Sequence, residues 1–100
     1  FDEIDTGVGG AVADAIGRRL GRLAETVQVL SVTHAPQVAA RAAAHMLVAK
    51  QVARGGKAVT TGLLSLTAEK RREEIARMLA GATITDEARA AAERLIRGAA

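Results

Sequence analysis

The residues best equipped for chemistry stand at the start of the chain. Phe1-Asp2-Glu3-Ile4-Asp5 sets three carboxylates just ahead of a segment with three glycines in four positions, Gly7 to Gly10. Adjacent carboxylates at the end of a β-strand can divide labour, because alternate side chains leave the strand in different directions. In nucleotide hydrolysis one such carboxylate helps to hold Mg²⁺, often through its water ligands, while its neighbour polarises the attacking water. A further candidate is His34, which closes the apolar run Val27 to Thr33. If the two segments are parallel strands of one sheet, both finish on the same edge, where open α/β sheets bind ligands. His34 could then reach a terminal phosphate. An Asp-Glu pair alone is common on solvated loops, and a lone His at a strand end is more often structural. The reading rests on the combination.

Positioning these groups requires a sheet and the helices that cover it. Val12, Ile16, Leu20 and Leu23 recur at steps of four, four and three, which predicts a helix from about Ala11 to Glu25 with those residues on one face. The run "VQVLSVT" predicts a strand covered on both faces in a parallel sheet. Pro36 suits the first turn of a short helix reaching Ala44. "HMLVAKQVAR" and "KAVTTGLLSL" predict two strands joined by a tight turn at Gly55-Gly56. Thr67 is expected to cap a helix to about Ala80, with Ile75 and Leu79 as its apolar pair and Gly81 as its stop. Thr85 is expected to cap a last helix, with Asp86 and Glu87 at the positive end of its dipole and Leu95 and Ile96 as anchors. The fold class expected is therefore α/β: parallel strands with helices, followed by a β-hairpin and two C-terminal helices. That sheet is expected to be completed from outside these 100 residues, by a hydrophobic strand leading into Phe1 and another carrying a phosphate loop.

Composition narrows the classes. The chain has 100 residues, of which 49% are hydrophobic, yet Phe1 is the sole aromatic. Large core-forming side chains are scarce, as in a piece of something larger. Fourteen Lys and Arg against eleven Asp and Glu give a net charge of +3, a mild bias towards polyanions. The bases are scattered (Arg18, Arg19, Arg22; Lys70, Arg71, Arg72), as on solvated helix faces. No cysteine is present, which excludes disulfides and thiolate metal sites. No apolar run of about 18 residues occurs, so no membrane span and a cytosolic setting are expected. Asp2 and Asp5 are wrongly spaced for a calcium loop, and His34 and His45 lie too far apart for a helical zinc motif. "GGKAVT" is no phosphate loop, because Gln51 and Ala58 stand where its first Gly and the Ser or Thr after Lys57 belong.

Three segments occur together in order, "FDEIDTGVGG", "VLSVTHAPQVAA" and "EEIARMLAG". Together they resemble the C-terminal part of the RecN family, SMC-like members of the ABC-type ATPases, over nearly all of the chain. The resemblance implies a role in recombinational repair of DNA double-strand breaks. Two ATP-binding heads, carried by a coiled coil, would close face to face around ATP and Mg²⁺. It implies that Asp2 is the Walker B acid on the Mg²⁺ shell and that Glu3 activates water. Thr6, Gly7, Val8, Gly9 and Gly10 would form the D-loop where heads meet, and His34 would be the switch histidine near the γ-phosphate. Residues 1–100 would form the C-terminal part of one head, with the phosphate loop, the ABC signature and the coil upstream. The implied partners are the remainder of that head, a second head and, for the full-length protein, DNA in a bacterial, nucleoid-associated setting. Gly9 departs from the pattern: many members carry Ser there and most ABC-type D-loops Asp, which leaves backbone contacts at that position.

Two other readings compete. "DEID" and the later "SVT" mimic motifs of DExD-type helicases, but such a fragment should continue into a second RecA-like domain, not a Gly-Gly hairpin and two helices. A small basic module binding DNA or protein without catalysis is the other, and salt-dependent DNA binding by the chain would single it out.

Overall fold

A computed structural model describes residues 1–52, 55–56 and 59–98. Helix α1 (Gly10–Leu23) follows the glycine-rich segment, and the four-residue helix α2 (Pro36–Ala39) follows His34. Strands β1 (Met46–Val52) and β2 (Val59–Ser65) come next, then helices α3 (Ala68–Ala80) and α4 (Asp86–Gly98).

α1 packs against α2 through its small residues, Ala13 and Gly17, both buried. At Gly17 the approach is backbone to backbone: a Cβ there would lie 2.9 Å from the Gln37 carbonyl oxygen and 3.3 Å from Val38 Cα. The fully buried positions are thus the small ones, while of the expected apolar face Ile16 and Leu20 are half-buried and Val12 stays 52% exposed. Close approach of two short helices favours the face without bulk. Asp14 adds a polar clasp, receiving Arg18 from its own helix and, at 3.3 Å, Arg41 from beyond α2. The hydrogen bond from Arg18, seconded by Arg41 and opposed by desolvation, holds the Asp14 carboxyl below its usual range.

α2 stops at Ala39 rather than Ala44. The cause is tertiary. One guanidinium nitrogen of Arg71, in the first turns of α3, takes the carbonyl oxygens of Ala39, Ala40 and Ala42 at 3.0, 3.0 and 2.6 Å. Those acceptors are thereby taken up from outside the helix. The chain tightens into turns in which Arg41 and Ala42 donate three residues back.

β1 and β2 pair antiparallel from Met46↔Ser65 to Val52↔Val59, a register centred on Gly55 and Gly56. Both glycines have positive φ, 91° and 68°, as the expected turn requires. Ala53, Arg54, Lys57 and Ala58, which the expected strands included, lie outside the described residues. This two-stranded sheet is the one sheet among the described residues. The expected parallel strand Val27–Thr33 is a correction: it forms one isolated parallel bridge, Asp2↔Val32. One face, Val29, Ser31 and Thr33, is only half-buried, and the other is open, with Leu30 69% exposed. A β-branched run paired on one side over so few residues has little to hold it in a ladder.

The main core lies between α3 and α4, where Ile75, Ala76, Ala88 and Ala92 are buried with Ala40. Met78, Ile84, Leu95 and Ile96 pack around them, as expected for the last two. Leu79, the expected companion of Ile75, is not buried with it and remains 38% exposed. Both caps form as the sequence predicts: Thr67 Oγ1 accepts from the Lys70 N–H at 3.3 Å, and Thr85 Oγ1 from the Ala88 N–H at 3.1 Å. Gly81 ends α3 at φ 82°. Pairs Arg72–Glu93 and Arg89–Glu73, at 3.2 and 2.8 Å, cross between α3 and α4. Both pairs are partly exposed and screened by solvent, so they add little stability. No described helix is long and apolar enough to cross a membrane.

Candidate functional site

The segment Phe1–Glu3 runs alongside Leu30–Val32. The amino group of Phe1 donates to the Leu30 carbonyl at 2.8 Å, Val32 N–H to the Phe1 carbonyl at 2.8 Å, and Glu3 N–H to the Val32 carbonyl at 2.7 Å. Bonds that alternate in this way between staggered partners belong to parallel pairing. Both segments therefore end on the same side. Past that point Glu3 Oε1 and His34 Nε2 meet at 2.7 Å. The sequence placed these two groups on one edge, and the structure brings them into contact.

Glu3 is the one described non-glycine residue with positive φ, at 50°. That conformation costs an L-residue roughly 1–2 kcal/mol. It turns the chain out of the extended pairing just where the carboxylate is carried. The pair is open, with side-chain exposures of 43% for Glu3 and 89% for His34. Ion pairs so exposed contribute little stability. Both groups are accessible to a ligand.

Asp2, expected to serve a metal, stands opposite Val32 in the bridge and is exposed. Among the described residues no group of three His, Asp or Glu could hold a metal ion by itself. Thr6 to Gly10, the expected D-loop, follow at once and are exposed throughout. Thr6 N–H donates to the Glu3 carbonyl at 3.2 Å and Val8 N–H to the Asp5 carbonyl at 3.4 Å. Gly7 takes φ 80°, which only glycine adopts freely. Gly9 is the extended residue before α1, with no side-chain cap, and Gly10 opens the helix.

Two features went unread in the sequence. Asp5 is buried, with 7% exposure, and its Oδ2 accepts a hydrogen bond from the Thr33 hydroxyl. Thr33 Oγ1 in turn accepts from the Ala35 N–H at 2.9 Å. The only signal for this was a hydroxyl residue directly before the histidine. His45, the second histidine, lies apart from the edge and half buried, its Nδ1 without a hydrogen-bond partner among the described residues. Burial, reinforced by the charge of Arg71 and opposed by Glu74, pushes its pKa below the ordinary value.

A mixed helix-and-strand segment with a carboxylate and an imidazole on one edge, and a glycine-rich turn opening a helix beside them, defines an α/β protein with an acid–histidine lip. Its kinship is closer than that. The chain is 49% identical over 96 residues to the DNA repair protein RecN of Xylella fastidiosa (strain 9a5c), covering 96% of this chain and 17% of that protein. It is 53% identical over 96 residues to the RecN of Mycobacterium tuberculosis (strain ATCC 25618 / H37Rv), covering 96% of this chain and 16% of that protein. To the RecN of Deinococcus radiodurans it is 55% identical over 83 residues, 83% of this chain and 14% of that protein. The chain belongs to the RecN family and spans about one-sixth of the length of the curated relatives it matches. No protein-family model matches it.

Proposed function

We propose that these residues form the C-terminal part of an ATP-binding head that hydrolyses ATP in recombinational repair of DNA double-strand breaks. The observation that carries the reading is the 2.7 Å contact between Glu3 and His34 where two parallel segments end. In this reading Glu3 accepts the proton of the attacking water, and His34 donates a hydrogen bond to the terminal phosphate. The residue types at the lip suit Mg²⁺, which prefers hard oxygen donors and needs only one or two carboxylates beside phosphates and waters. Asp2 would hold that ion through its water ligands; when bound, the ion neutralises charge on the phosphates.

The sequence contains no phosphate-loop pattern, so the cradle for the triphosphate comes from another segment of the same head. The exposed Thr6–Gly10 turn faces a second head, and DNA is engaged by the full-length protein. The test is complementation. The 100-residue chain alone should hydrolyse no ATP above background, and joining it to the segment carrying the phosphate loop should restore turnover. In the joined head His34→Ala should reduce hydrolysis more than nucleotide binding. Robust turnover by the chain alone, or equal loss of both properties in His34→Ala, refutes the assignment.

A further inference from the structure

We propose that Asp5 and Thr33 form a latch that positions Glu3 against His34, an inference that rests on reading those two as the hydrolytic pair. Asp5 is the buried charged residue among those described, at 7% exposure. A carboxylate removed from water is costly unless it is hydrogen-bonded. The Thr33 hydroxyl meets that need from the other side of the edge, 28 residues away in sequence. A hydroxyl has one proton to give and two lone pairs to accept with. Here the proton goes to Asp5 Oδ2, and a lone pair takes the Ala35 N–H at 2.9 Å. One short chain of hydrogen bonds thus ties the acidic turn to the turn that carries the histidine.

The placement gives this chain its importance. Asp5 lies two residues after Glu3, and Thr33 lies one before His34. The backbone pairing of the two segments ends at the bond from Glu3 N–H to the Val32 carbonyl. Beyond it, the Asp5–Thr33 bond is the buried polar contact described between the two turns. The Glu3–His34 pair is too exposed to fix its own geometry. Neither Asp5 nor Thr33 touches the reacting groups, so both are positioning residues. Misplacement of a catalytic group by about 1 Å can cost on the order of 10²-fold in rate.

The test combines kinetics in the full-length protein with ¹⁵N spectroscopy of the His34 imidazole. Thr33→Val, which keeps the shape and removes the hydroxyl, should lower kcat for ATP hydrolysis by about 10²-fold while KM moves by less than about twofold. Thr33→Ser should recover most of that loss. In the spectra, Glu3→Gln should shift the His34 imidazole resonances in the wild-type background and leave them nearly unmoved in the Thr33→Val background. A Thr33→Val protein that keeps both its kcat and the Glu3-dependent His34 shift overturns the latch. Should Thr33→Val fail to fold, exchange of the Thr33 hydroxyl proton in the wild type decides: protection from solvent supports the latch, and free exchange overturns it. Failure of the functional reading would look different, as normal hydrolysis by Glu3→Gln, and the spectra would still judge the latch.

Discussion

Replacing Gly17 by Ala sets a methyl group 2.9 Å from the Gln37 carbonyl oxygen, 3.1 Å from Arg41 Cγ and 3.3 Å from Val38 Cα. The first and last of these are backbone atoms, so relief requires α1 and α2 to move apart rather than one side chain to swing away. Overpacking of this kind costs about 1–3 kcal/mol. Against it stands the gain from replacing a mid-helix glycine by alanine, about 0.5–1 kcal/mol. The two backbone contacts favour the upper part of the overpacking range, so the close approach wins and Gly17→Ala should destabilise by a net of up to about 2.5 kcal/mol. Gly21, on the same helix, is the internal control, because a Cβ there meets nothing within 4 Å. Gly21→Ala should show the helix gain alone, about 0.5–1 kcal/mol. For a domain of this size each kcal/mol moves the melting temperature by about 4–8 °C. Thermal unfolding followed by far-ultraviolet circular dichroism should therefore place Gly17→Ala several degrees below wild type and Gly21→Ala several degrees above. A Gly17→Ala protein melting at or above wild type would refute the assignment of this crossing as the contact that sets α1 against α2.

Two further outcomes are expected. His45 has its pKa lowered from 6.5 by burial; the unfolded chain therefore takes up its proton first as pH falls. Its stabilising contribution is whole above the unfolded value and is lost as pH drops below 6.5 towards the folded value. Urea midpoints should fall between about pH 7.5 and about pH 5.5, and His45→Gln should flatten that slope. Arg71→Ala should cost about 1–3 kcal/mol in urea unfolding, because it removes the charged donor shared by the carbonyls of Ala39, Ala40 and Ala42 and leaves that of Ala40 with no described partner. Arg71→Lys should recover only part of this, since an ammonium is a point charge without the planar fork.

What could be read from the sequence follows the range of the forces involved. The caps at Thr67 and Thr85, the stop at Gly81 and the glycine turn at Gly55-Gly56 depend on residues within a few positions, and each is where the sequence puts it. That Glu3 and His34 share one edge was legible too, because parallel segments that end together bring their next residues there; their direct contact was not. Features decided across longer separations were not legible. Periodicity marks Val12, Ile16, Leu20 and Leu23 as the face of α1, but the neighbouring helix takes Ala13 and Gly17, where backbones can approach. Nothing local to the alanine run says that Arg71 will claim its carbonyls and end α2 early. The apolar run Val27–Thr33 carries the composition of a buried strand, yet one bridge opposite Asp2 is all the ladder it forms. In the sequence Asp5 is simply the third carboxylate of an acidic cluster. Its partner stands 28 residues away, which is why its burial could not be foreseen.

Single-turnover hydrolysis by a complete head carrying Glu3→Gln, measured beside nucleotide affinity, bears most closely on the proposed role of the acid–histidine edge. The amide cannot accept the water's proton, so hydrolysis should fall by about 10²–10⁴-fold while affinity stays within about threefold. Asp2→Asn, measured in parallel, should instead weaken binding of the Mg²⁺–nucleotide complex. Hydrolysis by Glu3→Gln at the wild-type rate would contradict the assignment of that carboxylate as the base.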